Sequence, residues 1–186
     1  MMQKRFTLAA FSLMFLLVGC AHIGNPFTTL RPDYSIVPED ELRAFAKVVE
    51  QFVLQGEREP QLGEFPSIAS DNEDVLQAIR TRAARSELLQ ELLDTGFAYE
   101  QKSGTISIIR SKAYKRASDK STRDQNALLV MGENANRWTL YETLVKASGW
   151  KPGSLGAVQH AFFEARCELL SSGQRYETPD GTIVTK

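Results

Sequence analysis

Cysteine and histidine are scarce in this chain, with two of each in 186 residues. Cys20 lies in an N-terminal signal-like segment, which leaves Cys167 without a partner for an intramolecular disulfide. His22 falls in the segment after it, and His160 has no second histidine or cysteine at ligand spacing, so no metal site is expected. An excess of basic charge is also missing. The 22 lysines and arginines face 23 acidic residues, for a formal net charge of −1. Without a sequence-wide basic footprint, nucleic acid is not an expected partner. Catalytic signatures are lacking too. There is no Gly-x-Ser-x-Gly, no His-Glu-x-x-His, no Cys–His pairing and no glycine-rich phosphate loop. No cofactor is expected, and no internal repeat is evident.

What is present begins at the N-terminus. Lys4 and Arg5 precede an apolar run from Phe6 to Val18, and Leu17-Val18-Gly19-Cys20 follows at the place of a cleavage site. The run falls short of the roughly 20 apolar residues needed to cross a bilayer, so residues 1–19 read as a secretion signal. Small residues followed at once by cysteine resemble the lipobox of bacterial lipoprotein precursors. That resemblance implies that Cys20 becomes the mature N-terminus and carries two or three acyl chains of the palmitate type. One chain binds a membrane reversibly and two or more anchor it. Ala21, in place of the Asp of inner-membrane retention, implies the outer membrane and its periplasmic face, with the inner membrane as the second choice. Removing residues 1–19 from the 186 leaves a mature chain of 167 residues, and losing Lys4 and Arg5 leaves 20 basic against 23 acidic groups. That length fits one domain with a tether.

Residues 20–37 carry Pro26 and Pro32 and show no hydrophobic period, so they read as the lipidated N-terminus and an extended tether. An N-terminal helix and loop follow at 38–70. Pro38 and Glu39-Asp40-Glu41 open the helix, and Leu42, Phe45, Val48, Val49, Phe52 and Val53 mark its apolar face. A helical domain is expected over 71–186. Ser70 or Asp71 caps a helix whose stripe runs from Val75 to Leu93, with Leu88 included, and Gly96 ends it. Two β-prone runs around Gly104 predict a hairpin. From about Asp124 the pattern Leu128, Met131, Ala135, Trp138, Leu140, Tyr141, Leu144 and Val145 predicts the longest helix. Ser154 caps a last helix, and Thr178-Pro179-Asp180-Gly181 predicts a closing turn between strand-prone residues. The expected fold is mainly α: about four helices with one or two short β-hairpins.

Lys112, Lys115, Arg116, Lys120 and Arg123 form the densest positive cluster. They read as a solvated face, with a contact for lipid headgroups or for an acidic partner segment as the sharper alternative. Within the long helix, Glu133, Arg137 and Tyr141 recur at four-residue steps, an arrangement that serves as a structural ladder or as a contact. Here a family resemblance enters. Glu133-Asn134-x-x-Arg137-x-x-x-Tyr141, preceded by Gly96-x-x-x-Glu100-x-x-x-Gly104, resembles the YdbL-like family of bacterial envelope proteins. Gly173, Gly181 and Lys186 fit the family's closing segment, while Arg175 and Thr182 depart from it. The likeness spans roughly residues 72–186. It implies an accessory role in assembling envelope or lipid-transport components, with no catalytic residue to carry over.

The residues therefore lead to a non-enzymatic, lipid-anchored periplasmic binding protein with an envelope protein partner. Its expected contact residues are Glu100, Glu133, Asn134, Arg137 and Tyr141, with Trp150 nearby. The alternative is a cell-wall hydrolase using Glu100 and Glu133 as a carboxylate pair. Geometry separates the two: the pair faces a deep cleft, or arginines such as Arg137 and Arg82 occupy it.

Overall fold

The computed structural model describes residues 30–186. The signal segment and Cys20 lie outside the described residues. Among the described residues six α-helices and four short strands follow one another: α1 (Glu39–Leu54), α2 (Glu73–Ala83), α3 (Ser86–Asp94), β1 (Ala98–Glu100), β2 (Ile106–Ile108), α4 (Lys112–Ala117), α5 (Lys120–Ala147), α6 (Leu155–Leu169), β3 (Arg175–Glu177) and β4 (Ile183–Thr185). The fold is mainly helical with a few strands, and has more helices than the four expected.

Local chemistry accounts for several boundaries. Three acidic residues fill the first turn of α1, where the helix dipole favours them. Asn72, not Ser70 or Asp71, caps α2: its Oδ1 accepts from the backbone N–H groups of Asp74 and Val75. The single helix expected up to Gly96 is broken at Ala84 and Arg85. No proline or glycine forces that break. Packing does, because α2 faces the main core while α3 turns Leu89, Leu92 and Leu93 toward a smaller cluster with Ala98, Ile106 and Val130. The basic stretch folds as α4 and the start of α5, which begins at Lys120 on the Asp119 cap. Ser154 makes no side-chain cap and instead ends a short 3₁₀ turn, Pro152–Ser154.

Both hairpins form, and they join into one sheet of order β2-β1-β3-β4 through a parallel β1–β3 pairing. Gly104 takes a left-handed φ of +77° in the first hairpin turn, and a Cβ there would lie 3.1 Å from the Tyr141 ring. That combination makes glycine the fitting residue.

The main core runs from Val37, Leu42 and Phe45 in the N-terminal segment to Leu140, Leu144 and Phe162. Residues 38–70 thus share one core with the helices after residue 71. The described end of the expected tether also packs down. A Cβ on Gly156 would lie 2.4 Å from the Arg31 carbonyl oxygen, so only glycine lets the chain pass there. The Leu30 N–H reaches Gln159 Oε1 at 3.3 Å, and Tyr34 Oη meets His160 Nδ1 at 3.0 Å. Residues 30–37 are therefore part of the domain surface and not a free spacer, because Val37 finds the core and polar groups around it find partners.

Candidate functional site

Six charged side chains from five elements meet beneath the sheet. They are Glu50 on α1, Arg82 on α2, Glu100 on β1, Glu133 and Arg137 on α5, and Arg166 on α6, none more than 6% exposed. Each arginine lies between two glutamates, and the contacts close into a ring. Arg82 grips Glu50 with both terminal nitrogens, at 3.0 and 2.8 Å, and gives its Nε to Glu133 Oε1 at 2.9 Å. Arg137 repeats the pattern: it holds Glu100 at 2.6 and 2.9 Å and donates Nε to the same Glu133 oxygen at 2.6 Å. Arg166 closes the circuit, donating Nε to Glu100 at 2.9 Å and Nη1 to Glu50 at 2.8 Å. The forked, two-bond geometry is the strongest available between these groups.

Three negative and three positive groups cancel, which is what allows so many charges to leave water. Burial alone would raise the Glu133 carboxyl, but Arg82 and Arg137 outweigh it and hold the carboxyl at about 2. Glu50 and Glu100 are likewise lowered: burial pushes them up, and the arginines beside each outweigh it. Burial works against Arg82 as well, yet Glu50 and Glu133 keep it protonated above its ordinary value.

Two neighbours lock the ring to the sheet. The Gly104 carbonyl accepts from Arg166 Nη2 at 3.0 Å and from Tyr141 Oη at 2.8 Å. Asn134 bonds both backbone groups of Ile106, at 2.8 and 2.9 Å, and so covers part of the β2 edge.

The sequence-predicted residues are thus brought together, in the structural one of their two expected roles. Glu100, Glu133, Arg137 and Tyr141 are at most 1% exposed and Asn134 is 8% exposed, so they do not form a contact surface. Trp150 is half-buried against the main core. Glu133 and Arg137 do make the expected ladder, whereas Tyr141 turns to Gly104. Glu100 and Glu133 are separated by Arg137 and not by a cleft. Both are held ionised, and neither offers the proton a glycosidase acid must donate. The cavity against the ring, bounded by Leu89, Leu93 and Leu170, measures about 40 Å³. That admits water and excludes a sugar. Cys167 is half-buried, and burial, reinforced by Glu100, pushes its thiol up to about 12, away from reactivity at neutral pH.

Glu50 and Arg166 were missed, and a signal for them exists. Each occupies a core position in an apolar stripe: Glu50 with Ala46, Val49 and Val53, and Arg166 with Phe162 and Ala165. Arg82 sits the same way beside Val75 and Ile79. Charges of both signs at core positions of separate helices call for each other.

Compared with known proteins, the chain matches no family model, no curated protein and no solved structure.

Proposed function

We propose that this chain is a lipid-anchored protein of the bacterial envelope, held through Cys20 at the outer membrane on its periplasmic side. Its folded domain acts there as an accessory binding module for an envelope protein partner. The observation that carries this reading is the N-terminal sequence: a basic start, a short apolar run, and small residues ending at Cys20. The fold is compatible with it. Leu30 is seated on the domain beside Gln159, leaving ten residues, 20–29, between it and the anchored end. Fully extended, that length spans at most about 35 Å, so an anchored domain stays next to its membrane.

The YdbL-like resemblance supports the accessory role. Its two short motifs contact each other in space, with Glu100 on Arg137 and Gly104 on Tyr141, so they read as one structural unit. An assembly role in lipid transport is the specific form of this proposal. The mass of the mature N-terminal peptide tests the anchor. Acyl chains on Cys20, and their loss in Cys20→Ser, are expected; an unmodified N-terminus in the wild-type protein would overturn the reading. Crosslinking in living cells followed by partner identification tests the accessory role.

A further inference from the structure

Asn134 closes only part of the β2 edge. In the first hairpin the Ile109 N–H bonds the Phe97 carbonyl at 2.7 Å, and the Gln101 N–H bonds the Thr105 carbonyl at 2.8 Å. These bonds put the odd-numbered residues in the hydrogen-bonded pairs of the ladder. Ile106 and Ile108, opposite Glu100 and Ala98, therefore turn their backbone groups away from β1. Asn134 meets both groups of Ile106 from that open side. Ile108 presents the same N–H and carbonyl pair two residues on, and among the described residues no side chain bonds it. An unpaired stretch of strand edge is a template for another strand.

Helix α5 stands across from this stretch and leaves a groove of about 690 Å³. Small and apolar side chains form the helix wall: Ala127 and Ala135 line it with Met131, which is 66% exposed. Arg110 is the only charged residue that lines the groove. It lies four residues past Ile106, so it marks the end away from the Asn134 cap. Charge in the groove is thus of one sign and at one end, and a guanidinium fork is best matched by a carboxylate.

These features fit an extended chain. A strand laid antiparallel along β2 exchanges two hydrogen bonds with Ile108 through a single residue. Its alternate side chains share one face, so apolar groups at every second position can lie against Met131. The residue two places earlier in such a strand falls opposite Arg110.

We propose that the groove between β2 and α5 is a docking site for an extended segment of a protein partner. The segment adds as an antiparallel strand at Ile108, with apolar side chains at alternate positions and an acidic side chain at Arg110. The proposal rests on the binding-module reading for the presence of a partner in the envelope, and gives that module its site.

The test selects heptapeptides from a random display library on the full-length mature protein. Selected peptides are then measured by fluorescence anisotropy and by amide hydrogen exchange. The expected peptides carry an acidic residue ahead of alternating apolar ones, and slow exchange over residues 106–110 and 127–135. Arg110→Glu should weaken their binding at least about fivefold, with an unchanged melting curve. A lysine in place of the peptide's acidic residue should restore binding to that variant. Ala135→Trp, which fills the groove from an exposed position, should weaken binding as well. Equal binding to Arg110→Glu, protection outside the groove, or a library that enriches nothing overturns the site. Crosslinking in cells reads the module separately. A partner captured equally by the wild-type protein and both groove variants keeps the module and overturns this site. Peptides that bind as expected, with no partner captured in cells, keep the site and overturn the module.

Discussion

The two halves of α5 are one continuous helix in opposite surroundings. Its C-terminal half, from Gly132 on, buries Glu133, Asn134, Arg137, Leu140, Tyr141, Leu144 and Val145. Its N-terminal half, from Lys120 to Met131, buries only Val130, and turns Leu128 and Met131 to solvent. The usual arrangement is inverted in both halves: charge lies inside at one end and large apolar groups lie outside at the other. The charges are inside because oppositely charged partners from two other elements, Arg82 on α2 and Glu100 on β1, meet them there. The apolar groups are outside because, among the described residues, no element covers the side of the helix that carries Leu128 and Met131. Buried charge here builds the fold, and exposed hydrophobicity marks what the fold leaves available.

Removing one ring member should break this contrast most strongly. Arg137→Ala strips Glu100 of its two-bond partner and leaves Glu133 with Arg82 alone, both inside the protein. Breaking a buried pair by removing one partner costs roughly 3–5 kcal/mol. At about 2–4 °C per kcal/mol for a domain of this size, melting should fall by roughly 6–20 °C. Arg137→Lys should recover only part of this, because an ammonium cannot make the fork. An unchanged melting temperature by circular dichroism would show that the ring does not fasten these elements.

Acid should loosen the same half without any substitution. Glu50, Glu100 and Glu133 all lie below the ordinary glutamate value of 4.5 in the folded chain, Glu133 at about 2. A lowered carboxylate contributes stability that is fully present above its unfolded value and is lost as pH falls through the folded one. The ring's contribution is therefore constant at neutral pH and declines between about pH 4.5 and 2, on the order of 3 kcal/mol from Glu133 alone. Denaturant midpoints across that range should fall more steeply for the wild-type protein than for Glu133→Gln. Equal slopes would exclude Glu133 as a coupled group.

The contrast also explains what could be read from the chain. The helices around Phe45, Leu144 and Phe162 were legible because their apolar spacing repeats. The hairpins were legible from Gly104 and from Thr178-Pro179-Asp180-Gly181. The break after Ala83 was not, since nothing local in Ala84-Arg85 interrupts a helix and the cause is a second core cluster. Leu88, Leu128 and Met131 keep the helical period of an apolar face, but period identifies a face without saying whether anything covers it. Glu133 and Arg137 were legible as a pair because they are local, four residues apart. Their closure through Glu50 and Arg166 depends on contacts across 66 and 116 positions, which spacing along one helix does not carry.

The smallest expected effect sharpens the comparison from its other side. Leu128→Ala removes an apolar side chain from the same helix that holds Arg137, and alanine keeps the helix propensity. At 69% exposure the leucine has little packing to lose, so stability should move by no more than about 0.5 kcal/mol. A buried leucine, such as Leu140 or Leu144 one to two turns past the ring, should cost about 2–5 kcal/mol under the same substitution. Chemical denaturation of the three variants measures the contrast directly. A loss at Leu128 comparable with that at Leu140 would mean that another segment or a second copy covers the crest in solution. That result would remove the distinction between a helix half that closes the fold and one that faces outward.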